Sequence, residues 1–138
     1  MFIQRFEDLL IWQEARKLCT AIYATLADNR DWGFKDQIQR AAVSIMNNIA
    51  EGFERNKFTK DNKQFISFLN IANGSCGEVK SMLYLAQDLS YIEPQQAEKL
   101  RNDCLSITLK TQSLVSTLQE NNGRDNREKN ELTCEAPL

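Results

Sequence analysis

From Phe65 to Ala86 the apolar residues Phe65, Leu69, Ala72, Cys76, Val79, Leu83 and Ala86 follow one another in steps of three and four without a break. A run of that length and period makes one stripe of an α-helix and cannot alternate across a strand. Three other stretches repeat it. Trp12, Ala15, Cys19, Ile22 and Leu26 mark a helix over about Phe6–Asp28, with Leu10, Ile11, Leu18 and Tyr23 widening its stripe. Ile38, Ala42, Ile45, Ile49 and Phe53 mark a second over about Phe34–Asn56, after a loop at Asp28–Gly33. Ala97, Leu100, Cys104, Ile107, Thr111, Leu114 and Leu118 mark a fourth, starting at Pro94, a favoured first-turn residue. The Phe65 helix is expected to be capped by Thr59 or Asp61, with Gln64 three residues after Asp61 in the capping-box position, and to end near Leu89.

Turn residues are scarce: 5 glycines and 2 prolines in 138 residues leave room for only a few long elements. Four helices with a period near 3.5 and short connections predict an all-α fold, an antiparallel up-down-up-down four-helix bundle. Residues 1–121 are expected to form this domain. Residues 122–138 are polar, with Leu132 as the aliphatic exception, and read as a disordered tail carrying Cys134 as an exposed thiol.

Composition narrows the function. The chain has no histidine, so the commonest general base and metal ligand are both missing. Its cysteines (Cys19, Cys76, Cys104 and Cys134) lie far apart, with no Cys-x-x-Cys spacing, and three sit on apolar ladders as small hydrophobes. Glu51 and Glu54 are one helical turn apart, as structural carboxylates often are, and no phosphate-binding glycine loop occurs. These features point to a protein that is not an enzyme and holds no metal or cofactor. Charges at Arg5, Glu7 and Asp8 interrupt any leader, no stretch is apolar enough to span a bilayer, and free thiols suit a reducing compartment. The expected location is the cytoplasm, without membrane contact.

Two surfaces stand out. Ser67, Asn70, Gly74, Gly77 and Ser81 step along the side of the third helix opposite its ladder. Glycine inside a helix costs about 1 kcal/mol against alanine, so a seam of small residues implies another backbone approaching closely. Arg40, Ser44, Asn47 and Glu51 form a matching stripe on the second helix. A hairpin centred near Phe58 puts Arg40 level with Glu78, and the two are expected to pair beside a subunit interface. The second surface is the connection itself. Arg55, Lys57, Lys60 and Lys63 outnumber Asp61 there, and Phe58 lies among them, a pattern that suits phosphates and a stacked base. The formal net charge of −2 argues against strong nucleic-acid binding.

Gln39-Arg40-Ala41-Ala42-Val43-Ser44-Ile45-Met46-Asn47-Asn48-Ile49-Ala50-Glu51-Gly52 resembles the signature of the bacterial four-helix bundle family encoded by intervening sequences of 23S ribosomal RNA genes. Phe68-Leu69-Asn70-Ile71-Ala72-Asn73-Gly74-Ser75, with Glu78, resembles its second signature, and Asp8-Leu9, Trp12, Ala15 and Ile22-Tyr23 its opening. The resemblance covers about residues 6–120. It implies a helical bundle that assembles as a homopentamer, with no enzyme activity and no cofactor. The family is also similar to the accessory variability determinant of diversity-generating retroelements, a pentameric barrel that binds nucleic acid and a reverse transcriptase through basic surface. Possible partners are therefore further copies of the chain, RNA or DNA, and a reverse transcriptase or other protein. The chain departs from the pattern at Gln39, where the family often has arginine, and at Met46, where it often has proline. The first removes a positive charge and the second a helix kink. The residues and the resemblance together suggest a homo-oligomeric, weakly nucleic-acid-associated accessory protein. The alternative is a structural scaffold with no nucleic-acid role.

Overall fold

The four ladders form four α-helices in a computed structural model that describes residues 3–134. A 3-10 turn at Phe6–Asp8 leads into α1 (Leu10–Thr25), followed by α2 (Trp32–Thr59), α3 (Lys63–Asp88) and α4 (Pro94–Cys134). There is no strand among the described residues. Each helix packs on the next and α4 packs back on α1, which closes the antiparallel bundle.

The core is the set of ladder positions. Ala15, Cys19 and Ile22 are buried on α1, with Leu26 at its C-terminal cap; Ile38, Ala42, Ile45 and Ile49 on α2. All of the α3 ladder is buried, as is α4 from Ala97 to Thr111. Trp12, Phe53, Leu114 and Leu118, towards the α2–α3 turn, are partly covered. Two of the widening residues are not core: Leu10 is 56% exposed and Tyr23 46%, whereas Ile11 and Leu18 are buried. α1 packs on α2 and α4 through one narrow stripe, and Leu10 and Tyr23 lie outside it.

Gly52 decides how closely α2 and α3 cross. A Cβ there would stand 2.6 Å from Phe68 Cβ and 3.1 Å from Phe65 Cδ1. The hairpin therefore closes over a missing side chain on the helix that the second-signature residues pack against.

Both ends of the bundle are tied. At one end Asp31 caps α2, its Oδ1 accepting from Phe34 N at 3.2 Å, so the helix begins at Trp32 inside the expected loop. The Tyr91 hydroxyl donates to Asp31 Oδ2 at 2.6 Å, and its ring stands edge-on to Phe34, which pins the α1–α2 loop to the α3–α4 turn. That bond holds the Asp31 carboxyl below its usual range and pushes the Tyr91 hydroxyl up. At the other end Lys60 and Asn62 both take left-handed backbone, φ 55° and 65°. The turn is too tight for the expected capping box. Asn62, not Thr59 or Asp61, holds the cap position, and asparagine visits this conformation more cheaply than most residues. Asp61 still contributes, since its Oδ1 accepts from Lys63 N at 3.0 Å.

α4 is longer than its apolar ladder. It runs on through residues 122–134, where the sequence suggests a disordered tail, and at 41 residues it reaches about 60 Å against about 39 Å for α3. Nothing in 122–134 stops a helix: there is no proline, one glycine, and oppositely charged residues spaced four apart, Arg124 with Glu128 and Arg127 with Glu131. Leu132 is 72% exposed there and joins no core. The Cys134 side chain and residues 135–138 lie outside what is described.

Candidate oligomer and nucleic-acid surfaces

The first candidate surface is the outer side of the α2–α3 hairpin. Helical rotation carries Ser67, Asn70, Gly74, Gly77, Glu78 and Ser81 away from the core, and all six are exposed. A Cβ built on Gly74 or Gly77 would meet nothing within 4 Å. Neither glycine serves the packing of the single subunit. Large apolar side chains share these outer faces: Ile71, Tyr84 and Leu85 on α3 are about half exposed, as are Leu105 and Leu109 on the adjoining α4. Each of these flanking residues lies off the core ladder of its helix, and that offset is the signal in the sequence that marks them.

The α2 stripe divides. Arg40, Asn47 and Glu51 are exposed, but Ser44 is not free. Its hydroxyl lies 2.9 Å from the Ser75 hydroxyl, and Asn48 Nδ2 donates to Ser44 Oγ at 2.9 Å. Ser44 therefore fastens α2 to α3 within the subunit. The expected Arg40–Glu78 pair does not form. Arg40 Nε donates to Asp36 Oδ2 at 2.8 Å, one turn back on its own helix. Glu78 Oε1 instead faces Gln37 Nε2 at 3.5 Å. The level is close to the expected one, but the rotation of α2 turns Gln37, not Arg40, towards α3. Glu51 is engaged too, accepting from Arg55 at 2.8 Å.

The second candidate surface is the α2–α3 turn, where the structure separates the basic residues into two kinds. The Arg55 guanidinium pairs with Glu51 and lies over the Phe68 ring at 5.2 Å. Lys57 pairs with Glu54 at 3.0 Å and lies over Phe53 at 5.4 Å. Lys60 and Lys63 are exposed, and neither is ion-paired among the described residues. Phe58 is 89% exposed. The overhanging α4 adds residues that the sequence did not single out. Asn122, Asp125, Asn126 and Lys129 face Thr59, Lys60, Asp61 and Lys63 across a cleft of about 270 Å³. An asparagine cluster holds that arrangement. Asn56 and Asn62 exchange two bonds at 2.9 and 3.0 Å, and Asn62 Nδ2 donates to Asn122 Oδ1 at 3.3 Å.

Elsewhere the polar chemistry is sparse. A groove of about 620 Å³ runs along the outside of α1, between Trp12, Arg16, Thr20 and Ala24. No group of three or more histidine, cysteine, aspartate or glutamate side chains is placed to hold a metal ion among the described residues. Burial pushes the Cys76 thiol up to about 11 and the Cys104 thiol to about 12, and raises Cys19 as well, so all three are protonated near neutral pH. No helix among the described residues is long and apolar enough to cross a membrane.

These features define an antiparallel four-helix bundle whose most distinctive surfaces lie outside its core. The profile of the 23S rRNA-intervening sequence protein family matches residues 7–113, and the chain belongs to that family. Among solved structures it is similar to a protein of unknown function from the S23 ribosomal protein family of Bacteroides thetaiotaomicron VPI-5482. The two share 25% identity over 77% of this chain and 98% of the other, with a TM-score of 0.68. A search of curated proteins finds no match.

Proposed function

We propose that this protein is a non-enzymatic, cytoplasmic, homo-oligomeric accessory protein that associates weakly with nucleic acid. The outer face of α3 carries the reading. It combines open glycines with half-exposed Ile71, Tyr84 and Leu85, whereas solvated helix faces are made of lysine, glutamate and alanine. The family resemblance suggests a ring of five subunits. In such a ring the basic turn repeats once per subunit, and individually weak phosphate contacts add through multivalency.

Two measurements test the reading. Gly77→Leu fills the seam, so light scattering after size exclusion should report a smaller assembled mass at unchanged helicity; an unchanged mass refutes the interface. Lys60→Glu with Lys63→Glu should abolish binding of labelled RNA or DNA at low salt and leave the assembly intact. The paired variant Arg55→Gln with Lys57→Gln should matter less, because those cations are already neutralised by Glu51 and Glu54. The competing reading, a protein-interaction scaffold, draws on those same ion pairs and on the net charge of −2. It predicts no nucleic-acid binding even at low salt.

A further inference from the structure

A nucleic acid offers a protein two things to hold. Its phosphates are always available, but the flat face of a base is available only where the strand is unpaired and unstacked. A site made of lysines alone takes either form. A site that adds an exposed aromatic ring on a fixed frame discriminates, because in a duplex the ring reaches a base face only after a base step is unstacked.

The tip of the α2–α3 hairpin has that second ingredient. Phe58 sits in the last turn of α2, and at 89% it is the most exposed of the large hydrophobic residues described. It cannot hydrogen-bond, it contributes nothing to the core, and leaving a phenyl ring in water forgoes the stabilisation that burying it would give. The frame around it is not loose. Lys60 N donates to Asn56 O at 2.9 Å, and the Asn56–Asn62–Asn122 bonds tie the turn to α4. Side chains carried on such a frame lose less freedom when they bind.

The charges close to it are disposed for a strand running over the tip. Arg55 and Lys57 are already satisfied by carboxylates, so the cations left for phosphates are Lys60 and Lys63, with Lys129 across the cleft. Asp61 and Asp125 stand on the same walls and offset part of that charge, Asp61 with its Oδ1 turned to the Lys63 amide. Thr59, Asn122 and Asn126 add neutral donors and acceptors to the same walls, which suits sugars and base edges better than a bare phosphate lattice. Phe58 does not line the cleft. Its neighbour Thr59 does, so the chain carries the ring to the edge of the residues that form the cleft.

We infer that the α2–α3 turn and the overhanging α4 form a site selective for single-stranded nucleic acid, with an unstacked base on Phe58 and the adjoining backbone on Lys60, Lys63 and Lys129. This rests on the nucleic-acid reading given above and adds to it the form of the ligand.

The test titrates the full-length protein with a labelled, unstructured mixed-sequence RNA strand, its DNA counterpart, and each strand annealed to its complement. Single strands should bind more tightly than the duplexes at one salt concentration, and the tighter of the two single strands identifies the source. Phe58→Ala should weaken single-strand binding about tenfold, change duplex binding less than about twofold, and leave the salt dependence unaltered. Phe58→Trp should restore the affinity, and its fluorescence should be quenched by single strands only. Circular dichroism and assembled mass should match the parent, since the residue is 89% exposed and belongs to no core. Equal affinity for strand and duplex, or a Phe58→Ala variant that binds single strands like the parent, overturns the inference and leaves the basic surface standing. A Phe58→Ala variant of reduced mass assigns the ring to a subunit contact and also overturns it. Absence of any binding at low salt overturns both readings.

Discussion

Alanine at position 52 should destabilise this bundle although alanine is the better helix former. The added Cβ would lie 2.6 Å from Phe68 Cβ, a distance that real side chains do not tolerate. Phe68 Cβ is one bond from the α3 backbone and cannot swing aside, whereas the Phe65 ring edge at 3.1 Å can turn. Relief therefore requires α2 and α3 to separate. The separation loosens the edge-on contact of Phe53 with Phe65, at 5.9 Å, and the seat of Arg55 on Phe68. Overpacking of this kind costs about 1–3 kcal/mol, and a contact this close belongs in the upper half of that range. Helix propensity returns about 1 kcal/mol. The net expectation is a loss of about 1–2 kcal/mol, roughly 3–8 °C in melting temperature for a chain of this size. Gly74→Ala and Gly77→Ala are the internal controls. Neither added Cβ meets an atom within 4 Å, so each should gain about 1 kcal/mol within the subunit. Urea unfolding followed by circular dichroism, at one low protein concentration, compares the three. If Gly52→Ala raises the midpoint as the other two do, α2 and α3 do not approach as closely as described, and the reasoning fails.

Thr111 is fully buried, and its hydroxyl has no hydrogen-bond partner among the described residues. Thr111→Val keeps the shape and removes the unpaired group, so the urea midpoint should rise by the equivalent of about 1 kcal/mol; a midpoint at or below the parent's contradicts this. In a Cys134→Ser background, a disulfide reagent at neutral pH should find no reactive thiol in the folded protein and three after denaturation, because Cys19, Cys76 and Cys104 are buried and held protonated. The same thiols set an alkaline limit. The unfolded chain gives up these protons near pH 9.0, but the folded chain keeps them until about 11 at Cys76 and about 12 at Cys104. Stability from this source is therefore level below pH 9.0 and falls as pH rises through that window, the folded state binding more protons. The slope of stability against pH should be shallower in a Cys76→Ala, Cys104→Ala variant, and an unchanged slope assigns the alkaline loss to other groups.

How far the sequence reads depends on the range of the interaction. The ladders needed only helical geometry, and Phe65 to Ala86 is buried residue for residue. The same geometry placed Gly74 and Gly77 on the outer face of α3 and Pro94 at the start of α4. The missing pieces required knowing how one helix is rotated against another. Helical spacing alone puts Ser44 on the outer stripe, yet the rotation of α2 brings it to Ser75 and separates Arg40 from Glu78. Gly52 looked like the end of a motif, because a close approach has no local signature beyond the glycine itself. The α4 extension carries no apolar stripe, and only its lack of helix breakers hints at it. At the basic turn, charge counting treated Arg55 and Lys57 as equal to Lys60 and Lys63. The carboxylates that distinguish them lie one turn back on α2, outside the counted segment.

The tight reversal at Lys60–Asn62 also bears on how the chain assembles itself in time. Closing α2 onto α3 spans only that short connection, whereas docking α4 on α1 must gather nearly the whole chain, and loop-closure entropy rises with the length enclosed. The hairpin is thus the cheapest tertiary contact to make first, and it gives the molecule a nucleus built from near neighbours. Gly52 lies inside that nucleus and Thr111 outside it. Change at the glycine should register mainly as slower folding, and change at the threonine mainly as an altered rate of unfolding.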